Sequence, residues 1–142
     1  MPNPRNIVKF DGIQYQAQTF EIDSSIVFDR DQPNGSAQVG LAVKMVDHKT
    51  VGLTTDGSGV VGKILKVESD DKATIQTGGY IDFPGGDAAT LTLGSKIVGD
   101  LGAASAQGYI RAVATATAAE LGVARGQIID ASDPTKTMVR ME

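Results

Sequence analysis

From Val39 onward the chain never holds one structural pattern for more than about eight residues before turn chemistry interrupts it. Val39, Leu41, Val43 and Met45 alternate with Gly40, Ala42 and Lys44, the period of two expected of a strand. Further strand-like segments follow at 50–54, 60–67, 73–77, 80–83, 96–98, 109–113 and 137–141. Between them lie Asp56-Gly57, Asp70-Asp71, Gly78-Gly79, Pro84-Gly85-Gly86 and Gly99-Asp100, residues that accept positive φ or preset a turn. Punctuation about every 8–12 residues predicts an all-β fold, a sandwich or small barrel rather than a parallel α/β sheet. The one helical candidate is 115–121, with Gly122 as a left-handed stop, and it is too short to organise a fold.

Residues 1–35 read differently. Pro2, Pro4 and Pro33 restrict the backbone, and Gln14, Gln16 and Gln18 alternate with Ile13, Tyr15 and Ala17. The expectation is an extended N-terminal arm over 1–35 and a compact β domain over 36–142. Asp31-Gln32-Pro33-Asn34-Gly35 supplies the turn between them. The arm holds Phe10, Tyr15, Phe20 and Phe28, more than half of the chain's three Tyr and four Phe. Together with Arg5 and Lys9, the aromatics Phe10, Tyr15 and Phe20 are candidate docking residues. The opposing expectation is that the aromatics cover an edge of the domain itself.

A chain of 142 residues suits one domain with one core. Its 17 glycines exceed the usual share, and Trp is absent, so the core must be light. A formal charge of −4 argues against nucleic acid and anionic membrane as partners. Without cysteine there are no disulfides, thiolate metal sites or cysteine nucleophiles, and His48 as the only histidine cannot form a histidine cluster within one subunit. No apolar stretch of signal-peptide type opens the chain and no window approaches a membrane span, so synthesis in a cytoplasm is expected.

Several motifs approach known chemistry and stop short. Gly57-Ser58-Gly59-Val60-Val61-Gly62-Lys63 has phosphate-loop spacing, but Ile64 stands where a magnesium-binding hydroxyl belongs, and a strand pattern follows instead of a helix. Asp29, Asp31 and Asn34 before Gly35 suggest a calcium loop, yet the oxygens are off register and Gly40 occupies the position of the bidentate Glu. Asp100, Asp130 and Asp133 would form an acid and base pair only if folding brought two of them together. Gly79-Tyr80-Ile81-Asp82-Phe83 resembles the hairpin motif of trimeric dUTP pyrophosphatases, which implies Asp82 activating water and Tyr80 under a uracil. Phe83-Pro84 departs from that family's continuation, and its phosphate-binding segments are missing. No cofactor or metal is expected, and no enzymatic activity.

A second resemblance spans more of the chain. The run Val51-Gly52-Leu53-Thr54-Thr55-Asp56-Gly57, then Val60 through Glu68, resembles the small head-decoration (cement) proteins of tailed bacteriophages. It continues through Ala73-Thr74-Ile75-Gln76-Thr77-Gly78-Gly79, Leu93 to Asp100, Gly108-Tyr109-Ile110-Arg111, Ala124 to Asp130 and the closing segment 137–141. The resemblance implies a β domain, often a homotrimer, that binds the major capsid protein at subunit junctions on the outer face of the virion and stiffens the shell. It brings no catalytic residue. A receptor- or carbohydrate-binding β module of a phage tail or fibre is the alternative from the same composition.

Overall fold

The computed structural model describes residues 16–87, 89–114 and 118–141. Among these residues nine strands and one short α-helix follow in order: β1 (Gln16–Ile22), β2 (Ala42–Asp47), β3 (Thr50–Leu53), β4 (Gly62–Glu68), β5 (Lys72–Phe83), β6 (Ile97–Asp100), β7 (Tyr109–Ala112), α1 (Ala118–Val123), β8 (Gln127–Asp130) and β9 (Thr137–Met141). The fold is all-β, as the turn spacing predicts. No described helix is long and apolar enough to cross a membrane.

The main sheet runs β1-β3-β2-β4-β5-β9-β8, and β1 also pairs with β5. That extra pairing closes β1, β3, β2, β4 and β5 into a ring. The β1–β3 contact is parallel and the other pairs in the ring are antiparallel. Inside it lie Ile26, Val43, Val51, Leu53, Ile64, Val67, Ala73 and Ile75.

A second core sits beyond the ring. Ile81, Phe83, Ile97, Ile110, Ala112, Ile128, Val139 and Met141 are buried there with Ala42 and Val60. The backbone closes around this core too. β5 pairs with β9 and β9 with β8; Gly94, Ser95 and Ile97 exchange hydrogen bonds with Arg125 and Ile128; β6 pairs with β7; and Ile110 of β7 bonds back to Pro84 and Gly86 just after β5. One core was expected and two are present. Among the described residues Phe83 is the only aromatic in the set of largest fully buried side chains, and a chain this poor in bulky groups fills two narrow interiors better than one wide one.

Strand β5 joins the cores. Its 12 residues span about 40 Å at 3.3 Å each. Residues 72–78 pair with β1 and β4, and 79–83 pair with β9. The changeover falls at Gly79, whose φ of 93° is open to glycine and strained for other residues. Gly78-Gly79 was expected to end a strand; instead the strand changes partners there. Neighbouring residues divide in the same way on β2, where Ala42 faces the second core and Val43 the first.

Two further expectations are corrected. The domain boundary does not fall at 35: β1 belongs to the ring and Ile26 is buried in its core, so residues 16–35 are part of the domain. The helix runs over Gly122 to Val123, and Gly122 is not in the left-handed region.

Candidate functional site

The near-match motifs are tied to one another. Lys63 on β4 and Asp82 on β5 form a salt bridge at 2.5 Å, with the Lys63 side chain largely covered. Burial pushes the Asp82 carboxyl up, but the hydrogen bond and charge of Lys63 outweigh it and hold the group below its ordinary value. A carboxylate so held is a weaker base. The Gly-rich loop is also committed: the Gly57 amide donates to the Gly99 carbonyl, Ser58 to Thr55, and Val61 to Val43. Those N–H groups cannot also wrap a phosphate.

The other acidic candidates serve turns. Asp29 accepts from the Asp31 amide, and its own amide donates to the Gly35 carbonyl. Asp130 accepts from the amide and hydroxyl of Ser132, and Asp133 does the same with Thr135. These bonds lower both carboxyl groups. His48 lies exposed in the β2–β3 turn, its amide donating to Asp47. Among the described residues no three His, Asp or Glu side chains are placed to hold a metal ion.

Of the docking residues proposed from sequence, Arg5, Lys9, Phe10 and Tyr15 lie outside the described residues. Phe20 is on β1 opposite Ala73 and packs with Ile22 and Phe28 against the first core. It therefore covers the domain itself, the opposing expectation for the arm's aromatics.

Two charged groupings went unnoticed in the sequence. Arg111 on β7 reaches Glu120 of α1 at 2.7 Å, Asp56 at 3.1 Å and Asp100 at 4.0 Å. The bond from Arg111 draws the Glu120 carboxyl down, against its desolvation. This cluster fastens the helix and the 54–58 loop to the second core.

The second grouping is a cleft of about 400 Å³ lined by Gly94, Lys96, Ala124, Arg125, Gly126, Gln127 and Arg140. Three adjacent backbone segments build it. Ile97 pairs with Arg125, and Gln127 stands opposite Arg140. Because Ile97, Ile128, Val139 and Met141 are buried, alternation turns Lys96, Gln127 and Arg140 to the outer face, whereas Arg125 stands opposite Ile97 and its guanidinium donates to the Val60 carbonyl at 3.5 Å. A groove of about 290 Å³ lined by Lys44, Met45, Ser58, Gly59, Val60, Val61 and Arg125 continues it. Neither lining includes a carboxylate or an aromatic ring. The cross-strand register that brings Lys96 and Arg140 beside Gln127 is not visible in the sequence. No family model matches this chain, and no curated protein or solved structure matches it.

Proposed function

We propose that this chain is a head-decoration protein of a tailed bacteriophage, a non-enzymatic cement that binds the outer face of the mature shell, acting as a homotrimer. The observation that carries the reading is where the resembling segments fall. Val51-Gly52-Leu53 lies in β3, Gly62–Glu68 is β4, and 73–79 lies in β5; the later segments include β6, part of β7, β8 and β9. The segments that carry the likeness are therefore scaffold, and the charged residues Lys63 and Asp82, which approach catalytic motifs, neutralise each other. What remains to act is the outer surface.

Cementing follows from linkage. A protein that binds only the expanded arrangement of shell subunits stabilises that arrangement by mass action, and bridging two subunits adds interface that must break before the shell does. The test mixes purified protein with expanded heads lacking decoration, reads occupancy by cryo-EM and compares the heat resistance of bare and decorated heads. Ordered density at subunit junctions and a raised rupture temperature are expected. Bare heads at micromolar protein would refute the reading.

A further inference from the structure

Strand β1 has an open edge. Its amides alternate between two neighbours: Ile22 donates to the Asp71 carbonyl beside β5, while Glu21 and, just past the strand, Asp23 donate to the Lys49 and Val51 carbonyls on the β3 side. Alternation therefore turns the main-chain groups of Gln18 and Phe20 toward β5 and those of Ala17 and Thr19 toward the β3 side. The irregularity near Gln16 places its extra residue, Thr77, on β5, so the alternation along β1 is unbroken. On its other side β1 pairs with β3 only at Glu21 and Ile22. Among the described residues nothing there bonds to the main chain of Ala17 or Thr19, and the side chains of residues 16–19 are exposed. Where this edge approaches the β2–β3 turn, a cleft of about 480 Å³ opens between Thr19, Phe20, Glu21 and Lys49. A bare strand edge of this kind invites pairing with an extended chain.

We infer that residues 4–10 of the same chain cover this edge, folding back on β1 through a two-residue turn at Asp11-Gly12. Residues 1–15 lie outside the described residues and lead straight into β1 at Gln16. Asp-Gly between Ile7-Val8-Lys9-Phe10 and Ile13-Gln14-Tyr15 is the sequence signal of a type I′ hairpin. Such a turn fixes the register: Phe10 faces Ile13, Val8 faces Tyr15, Asn6 faces Ala17 and Pro4 faces Thr19, and these are the pairs that exchange hydrogen bonds. The turn thus selects Ala17 and Thr19, the two residues that the described strands leave open. A shift by one residue would select Gln18 and Phe20, which β5 already holds. The far end fits as well. Pro4 can accept the Thr19 amide without donating, as proline on an edge strand does, and the next amide on that side, of Glu21, is already bonded to Lys49. In this register Val8, Phe10, Ile13 and Tyr15 share one face of the hairpin, and Arg5 and Lys9 lie on the other. The pairing needs no shell protein and is independent of the capsid reading.

Amide hydrogen exchange, followed by NMR, tests the pairing in the full chain. Ala17 and Thr19 should exchange about tenfold or more slowly there than in a variant lacking residues 1–12, while Gln18 and Phe20 stay protected in both. Gly12→Val opposes the positive φ that the turn requires and should speed exchange at Ala17 and Thr19 in the same way. A second measurement does not depend on truncation. The chain has no cysteine, so Arg5→Cys with Gln18→Cys introduces a single pair of thiols. These positions face each other without exchanging hydrogen bonds, at a Cα separation of about 4.5 Å that a disulfide can span. Mild oxidation should close an intramolecular disulfide in this variant, whereas Asn6→Cys with Gln18→Cys, on opposite faces, should stay mostly reduced. Equal exchange at Ala17 and Thr19 with and without residues 1–12 overturns the inference. Equal oxidation of the two cysteine pairs overturns it too, as does a disulfide formed mainly between chains, which would assign the edge to a second copy.

Discussion

Two cores threaded by one strand should unfold together, and a matched pair of methyl deletions tests it. Ile64 lies in the first core and Ile110 in the second, both fully buried, in clusters with no shared member. Ile64→Val and Ile110→Val each remove one buried methylene, about 0.8 kcal/mol in transfer free energy and roughly 0.5–1.5 kcal/mol once imperfect relaxation is included. At about 2–4 °C per kcal/mol for a chain of this length, each lowers Tm by roughly 1–6 °C. Neither ring closes without β5, and the amides of Ala42, Thr54 and Gly108 bond to carbonyls across the junction. Both substitutions should therefore move a single transition, and the double variant should show their sum within about 0.5 kcal/mol.

Urea unfolding followed by far-UV circular dichroism and by tyrosine fluorescence provides the assay. Tyr80 and Tyr109, two of the three tyrosines, flank the second core on β5 and β7, whereas dichroism reports both rings. Coincident curves and equal calorimetric and van't Hoff enthalpies are expected. Two separated steps, with Ile64→Val shifting the dichroism step and leaving the tyrosine step in place, would refute the coupling through β5.

Four other outcomes follow from the structure. The buried Thr77 hydroxyl finds no partner among the described residues, so Thr77→Val should be neutral or stabilising by up to about 1 kcal/mol in thermal melts. Gly62→Ala would place a Cβ 2.0 Å from the Gln76 carbonyl oxygen and 2.9 Å from Ile75 Cγ2, forcing β4 from β5 at a cost of about 1–3 kcal/mol or more; Gly122→Ala in α1 meets nothing within 4 Å and should instead stabilise. Asp82 is held below its ordinary 3.8 when folded, so the unfolded chain takes up the proton first as pH falls. The Tm gap between wild type and Asp82→Asn should then be constant from neutral pH to near 3.8 and close as pH drops through the folded value; a gap that widens in acid would contradict the pairing with Lys63. Deleting residues 1–20 removes most of β1 and should lower Tm sharply; a deletion of 1–15 that keeps Tm but reduces head occupancy would assign docking to Arg5, Lys9, Phe10 and Tyr15.

The β class was legible because strand and turn chemistry is local. Asp56-Gly57 and Asp70-Asp71 are turns in the structure as they are in the sequence, since the conformations they favour depend on a few neighbouring residues. Glycine was ambiguous for a physical reason: it marks a turn, a change of partner or a close approach, and only the surroundings decide among them. Gly99, expected between strands, lies inside β6, where a Cβ would meet the Thr55 carbonyl at 2.4 Å. Gly79 redirects β5 without ending it. Likewise, the alternation over 13–18 signals extended chain, but the partners of β1, which place residues 16–22 against β5 and β3, come from residues more than twenty-five positions away. The same holds for the cleft. Lys96, Arg125 and Arg140 are ordinary surface cations when read along the chain, and they become one site only because pairing across three segments, fixed by burial of Ile97, Ile128, Val139 and Met141 beneath them, brings distant positions side by side.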